Sequence, residues 1–80
     1  MRLVAGDEAK ESLKERGLTF DMILASPVLD FIPNLGYPGQ MLLILDIGGY
    51  VHAAPCEQRG DVWRVITAFP SRKFQRLYRP

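Results

Sequence analysis

The sequence predicts an α+β domain: two short helices, then a meander of about four antiparallel strands, then a short basic C-terminal helix or tail. Three observations predict it. Apolar residues in the first 26 positions recur at helical spacing between recognisable start and stop signals. From Val28 onward the pattern changes to short apolar and β-branched runs separated by Gly, Pro and Asn. Gly48-Gly49 joins two of those runs and is a strong signal for a two-residue hairpin. Helices followed by strands place the helices on one face of an antiparallel sheet, so the other face is either wet or covered by something else.

The first helix reads Glu8–Arg16. Asp7 stands where a capping side chain is needed, and Glu8 suits the positive end of the helix. Gly17 is placed to take the left-handed conformation that ends it, with Leu13 and Leu18 at the positions whose contact accompanies a Schellman stop. Ala9 and Leu13 face inward. A second helix follows, capped by Thr19, with Phe20, Ile23 and Leu24 at helical spacing. Pro27 forbids its continuation.

Val28–Ile32 reads as a short strand, and Pro33–Gln40 as a loop of turn formers. Met41–Ile47 is apolar on both faces as far as Asp46, the mark of a central strand. A two-residue turn at Gly48-Gly49 sets the register: Ile47 opposes Tyr50, and Leu45 opposes His52. Tyr50–Glu57 returns antiparallel, Gln58–Asp61 turns around Gly60, and Val62–Phe69 forms the last strand, stopped by Pro70. Ser71 can cap a terminal helix in which Phe74, Leu77 and Tyr78 share one face.

Length and composition bound the rest. Eighty residues, 48% of them hydrophobic and 24% charged, make one domain over residues 1–80 and exclude intrinsic disorder. A single cysteine and no glycine period exclude a disulfide scaffold and a collagen-like chain. The longest apolar run, Met41–Leu45, falls far short of the roughly 18 residues that a membrane helix requires. Asp7 and Glu8 interrupt the start before a signal peptide can form, and the lone Cys56 suits a reducing cytoplasm. One Cys and one His cannot build a dedicated zinc cage, so no metal and no cofactor are expected. Phosphate-cradling glycine motifs and the G-x-S-x-G elbow of serine hydrolases are missing from the sequence.

The net charge of +1 conceals an asymmetry: residues 1–40 carry a net −2 and residues 41–80 a net +3. From Val62 to the end there are five basic residues, Arg64, Arg72, Lys73, Arg76 and Arg79, and no acid. Such a one-signed end suits phosphate or an acidic protein, unless it is simply a solvated tail. Arg72 and Lys73 occupy the first turn of the terminal helix, where the macrodipole favours anions; a bound phosphate would relieve that conflict. His52, mid-strand, is the only side chain whose unperturbed pKa lies near neutrality and is a candidate acid or base. Tyr50, His52, Glu57 and Arg64 together compose a possible cleft. Trp63 and Phe69 read as core, and nothing marks Cys56 as a nucleophile.

Asp7-Glu8-Ala9-Lys10, followed by Leu13-Lys14-Glu15-Arg16-Gly17-Leu18-Thr19-Phe20, resembles the N-terminal signature of BrnT-type toxins. Pro70-Ser71-Arg72-Lys73, then Arg76-Leu77-Tyr78, is similar to that family's basic close. The resemblance implies a RelE-like ribonuclease fold and the toxin half of a bacterial type II toxin–antitoxin pair. It further implies metal-independent cleavage of RNA, neutralisation by a cognate antitoxin protein, and contact with operator DNA only through the antitoxin complex. Arg72 and Lys73 match the family's basic pair and Tyr78 its late aromatic. Arg72 and Arg64 are then the candidates for phosphate stabilisation, with Lys73, Tyr78 and His52 as alternatives for acid and base. Arg76 and Arg79 join Arg72 and Lys73 as nucleic-acid contacts. The alternative to an endoribonuclease is a non-catalytic module that binds nucleic acid or an antitoxin.

Overall fold

Two glycines with left-handed backbone, at φ 63° and 89°, make the Gly48-Gly49 turn that organises the sheet. A side chain there would be strained, and two successive positive φ values are what a two-residue hairpin matching the strand twist requires. A computed structural model describes residues 2–80. The elements run β1 (Leu3–Val4), α1 (Asp7–Glu15), α2 (Phe20–Ala25), β2 (Val28–Pro33), β3 (Gln40–Ile47), β4 (Tyr50–Arg59), β5 (Val62–Val65), β6 (Phe69–Pro70) and α3 (Arg72–Tyr78). The architecture is α+β, with six strands and three helices among the described residues. None of those helices is long and apolar enough to cross a membrane.

The sheet order is β1-β5-β4-β3-β2, with β6 also paired to β4. Ile47 opposes Tyr50 and Leu45 opposes His52, as the two-residue turn demands. Four strands become six for two reasons. Leu3–Val4 pairs parallel with Trp63–Arg64, a contact between distant segments that no local pattern announces. The run Val62–Phe69 is not one strand: β5 pairs with Cys56–Arg59, the chain leaves the ladder over Ile66–Ala68, and β6 rejoins β4 at His52–Ala53. Pro55 stands where β4 changes partner, a position suited to a residue without an N–H, and its carbonyl accepts from Ile66 N at 2.8 Å. The preceding turn is also tighter than the sequence implies, since Arg59 already pairs with Val62.

The helix signals act as read, with three corrections. Leu18 N donates to Leu13 O at 2.8 Å and Gly17 N to Lys14 O at 3.0 Å, a complete Schellman stop. Thr19 Oγ1 accepts from Met22 N at 3.1 Å. The first correction is that Gly6, not Asp7, is the N-cap of α1; Asp7 is the first helical residue and acts through its charge rather than a side-chain cap. The second is Leu24, which is 55% exposed, because six residues of α2 present only Ile23 fully to the sheet. The third is Leu77, 64% exposed: of the apolar and aromatic residues of α3, only Phe74 and Tyr78 pack on the sheet.

Alternation along the strands builds two cores. Leu43, Leu45 and Ile47 of β3, with Ala54 and Cys56 of β4, meet Leu13, Leu18 and Ile23 under α1 and α2. Ile44, Val51 and Ala53 form the opposite core, with Leu29, Ile32, Leu42, Phe69, Phe74 and Tyr78 packed around it. The second face is therefore covered in part by α3, and the unbroken apolar run of β3 is explained by packing on both sides. Phe31 of β2 and Trp63 of β5 meet edge to face at 5.1 Å on the α1–α2 side, over the small Ala54 and Cys56. Leu43 is fully buried, so Leu43→Ala should cost about 2–5 kcal/mol, a large share of the stability of a domain this size. Urea unfolding followed by Trp63 fluorescence should show a midpoint lowered to match.

Candidate nucleic-acid interface

The C-terminal basic segment is built on α3, and the docking of that helix decides which charges are left outside. Ser71 Oγ accepts from Phe74 N at 3.2 Å and starts the helix. Four polar contacts then tie it to three strands. Tyr78 Oη donates to Asp30 Oδ2 on β2 at 2.5 Å. Arg79 Nε meets Asp46 Oδ2 on β3 at 3.3 Å. On β4, Val51 N donates to Gln75 Oε1 and Ser71 N donates to Val51 O, each at 2.9 Å. With Phe74, Gln75 and Tyr78 facing the sheet, Arg72, Lys73 and Arg76 project into solvent.

Among the described residues, no carboxylate lies within 4.0 Å of Arg72, Lys73 or Arg76. Lys73 places its ammonium 5.5 Å from the centre of the Phe74 ring. Helix α1 also carries exposed cations, but Lys10 and Lys14 alternate with Glu8, Glu11 and Glu15, and the field there cancels. On α3 no acid alternates with the cations: its first turn contains none, and the two carboxylates that reach the helix, Asp30 and Asp46, meet Tyr78 and Arg79 at its far end.

Arg64 is differently placed. It lies on the same sheet face as α3, paired across the strands with Glu57. Its Nη2 donates to Glu57 Oε1 at 2.6 Å, and Arg59 reaches the same oxygen at 3.0 Å. Arg59 first and Arg64 second hold the Glu57 carboxyl below the usual carboxylate range. The charge of Arg64 is thus already answered by an exposed carboxylate.

His52 is not brought to this surface. The register that pairs it with Leu45 puts it on the α1–α2 face, across the sheet from α3. It is 8% exposed, and its Nδ1 lies 2.9 Å from Tyr50 O. Tyr50 shares that face, with its ring 6.3 Å from the imidazole. The cleft composed from Tyr50, His52, Glu57 and Arg64 is therefore divided between two faces. Cys56 is buried, and burial pushes its thiol up to about 12, far from a nucleophilic thiolate.

Beside α3 the same face of the sheet stays open. A cavity of about 420 Å³ lies over Leu42, Pro55, Ile66 and Phe69, with Asn34, Tyr37 and Gln40 at its rim. Phe69, read as core, is only half-buried and lines this cavity as well as packing under α3. A smaller cavity of about 230 Å³ lies between the start of α1 and Arg64 and is edged by Asp7 and Glu8. Sequence reasoning passed over Tyr37 as part of a turn-forming loop, although the order Tyr37-Pro38-Gly39-Gln40 is itself a type II turn signature.

The hydrogen bond between Tyr78 and Asp30 ties α3 to pH. The Tyr78 hydroxyl, with help from Phe31 N at 2.8 Å, holds the Asp30 carboxyl below its ordinary 3.8. The same carboxylate pushes the Tyr78 hydroxyl above its ordinary 10.0. The depressed carboxyl contributes stability above pH 3.8 that is lost as the pH falls further. The raised phenol contributes stability below pH 10.0 that is lost as the pH rises through its folded value. An ultraviolet titration should therefore show a tyrosinate forming above pH 10.0 that is missing from Tyr78→Phe, whose acid unfolding should also begin at higher pH. Compared with protein-family models, with curated proteins and with solved structures, the chain matches none.

Proposed function

We propose that this chain is the toxin component of a type II toxin–antitoxin pair, a RelE-like endoribonuclease that cleaves RNA without a metal. The observation that carries the reading is the helix α3, from which Arg72, Lys73 and Arg76 project unpaired next to an open groove in the sheet. The α+β class, with two helices ahead of the main antiparallel strands, agrees with it at the level of fold class. So does the likeness of the N-terminal and C-terminal motifs to BrnT-type toxins.

RNA carries its own nucleophile. The ribose 2′-OH loses its proton and attacks phosphorus, the bond from phosphorus to the 5′ oxygen breaks, and that oxygen takes up a proton. The products are a 2′,3′-cyclic phosphate and a 5′-hydroxyl end. A protein supplies proton transfer and charge stabilisation at the phosphoryl oxygens. In this reading Arg72 grips those oxygens, with Arg76 on a neighbouring phosphate and Arg79 joining it once RNA competes with Asp46. Lys73, on the same exposed surface, handles a proton. Tyr78, whose proton is engaged by Asp30, chiefly positions α3, and Arg64 contributes once RNA competes with Glu57. His52 has no part. A cognate antitoxin has uncovered apolar surface to meet at Met22, Leu24 and Val28, next to the outer strand β2. Operator DNA is reached through that complex.

A second reading, a non-catalytic nucleic-acid- or antitoxin-binding module, is favoured by one observation. Arg64 and Tyr78 are both bonded to carboxylates of this chain, Glu57 and Asp30, which leaves fewer groups for chemistry. Inducible expression in bacteria, with RNA profiled minutes later, separates the two. The toxin reading expects arrested growth and cleaved transcripts. It also expects cleavage by purified protein in excess chelator, with Lys73→Ala or Arg72→Ala slower by about a hundredfold or more. Normal growth and intact RNA from well-folded protein would sink it in favour of the binding module.

Both readings share one expectation. Binding to single-stranded RNA should weaken with salt at a log–log slope of about −2, because each of three cations contributes roughly 0.7. Arg76→Ala should flatten the slope by about that single increment, measured by fluorescence anisotropy across a salt series.

A further inference from the structure

We infer that the cavity beside α3 is a nucleobase site, which holds one unpaired base of a single-stranded RNA while the cations of α3 hold its phosphates. The inference rests on the RNA reading above and adds to it a second point of contact, to the base rather than the backbone.

The walls have the right chemistry. The floor is apolar, formed by Leu42 and Pro55 on neighbouring strands, and Phe69 supplies an aromatic wall. Tyr37 also lines the cavity and is 62% exposed although it is a large aromatic side chain. A volume of about 420 Å³ lies in the range of pockets that take small planar ligands. Every base has a π-face, so stacking on a tyrosine or phenylalanine needs no particular sequence.

The polar rim matches a base edge. Asn34 Nδ2 donates to Gln40 Oε1 at 3.2 Å. That single bond leaves Asn34 Oδ1 as an acceptor and both N–H groups of Gln40 as donors. Adjacent donor and acceptor groups are what the edge of any nucleobase presents. An apolar ligand would leave these carboxamides unpaired, and a bare phosphate would find no cation among them.

The loop is prebuilt. Tyr37 N donates to Asn34 O at 3.0 Å, and Gln40 N donates to Tyr37 O at 3.1 Å, so Tyr37 is the joint of two successive turns. Pro38 presets the second turn, and Gly39 takes φ 87°, the left-handed value that turn requires. Asn34 N closes the loop on Gln40 O at 3.0 Å. A tyrosine held this way loses little freedom when a base stacks on it.

The cations follow the aromatic wall closely in the chain. Phe69 is separated from Arg72 only by Pro70 and Ser71. The capped start of α3 therefore carries the unpaired cations away from the aromatic wall, and a nucleotide with its base in the cavity has its phosphate on their side.

The test is fluorescence anisotropy with three labelled probes: a single-stranded RNA oligomer, an abasic oligomer of the same length, and inorganic polyphosphate. The wild-type protein should bind the RNA about tenfold or more tighter than the abasic oligomer. Tyr37→Ala, which alters an exposed side chain and should leave the melting temperature unchanged, should erase that difference and leave binding of the other two probes as it was. Arg72→Ala should weaken all three. Equal binding of RNA and abasic oligomer, or unchanged RNA binding by Tyr37→Ala, would overturn the base site while the phosphate-binding surface stands. Binding to none of the three probes would overturn the base site together with the RNA reading.

Discussion

The register of β3 against β4 governs almost everything else in this molecule. Eight consecutive pairs run from Ile47–Tyr50 to Gln40–Glu57, all phased by the two glycines of the turn. A slip of one residue would turn every side chain of one strand to the opposite face. Leu43, Leu45 and Ile47 would leave α1 and α2, and Ile44 would leave α3. The phase also sorts chemistry. It sends His52 into the α1–α2 core with Leu45, and Glu57, with its arginines, to the face where α3 lies. Because β3 is apolar on both faces, its pattern alone would tolerate such a slip; the two-residue glycine turn and the fit of each side chain in its own core set the phase.

Helix α3 converts that packing into a charged surface. It is too short to be stable alone and depends on tertiary contact. Phe74 and Tyr78 bury against Ile44, Val51 and Ala53, and polar bonds to β2, β3 and β4 fix its rotation. Once those residues point inward, helical geometry leaves Arg72, Lys73 and Arg76 pointing outward. The basic end is thus neither a loose tail nor a buried network. Gln75 has a structural part here, since its carbonyl oxygen takes the N–H of Val51. Asp30 and Asp46, which sequence reading gave no role, act as anchors whose charge is spent on α3.

The open groove follows from the same arrangement. α3 covers only part of its face of the sheet, and the loop between β2 and β3 rises at the other side. Between them lie Leu42, Pro55 and Phe69, apolar enough to belong to a core and only half-buried. The cavity between the outward cations of α3 and the aromatic turn is where the proposed function concentrates. In the proposed reading, phosphates would meet the helix and a base would meet the loop.

Local signals were legible because their physics is local. Gly17 and Leu18 stop α1, Thr19 and Ser71 cap α2 and α3, and Gly48-Gly49 turns the hairpin, each through bonds spanning a few residues. From these the α+β class, the central hairpin and its pairing follow from sequence alone, as does the acid-free basic end. Tertiary structure alone decided the parallel pairing of β1 with β5, the division of Val62–Phe69 into two strands, and the exposure of Leu24 and Leu77. It also decided that His52 lies across the sheet from the cations, that Asp30 holds Tyr78, and that Asn34, Tyr37 and Phe69 share one cavity. Each of these depends on residues far apart in the chain, whose meeting is set by packing and not by spacing. Periodicity shows which residues must be covered; only the folded chain decides what covers them.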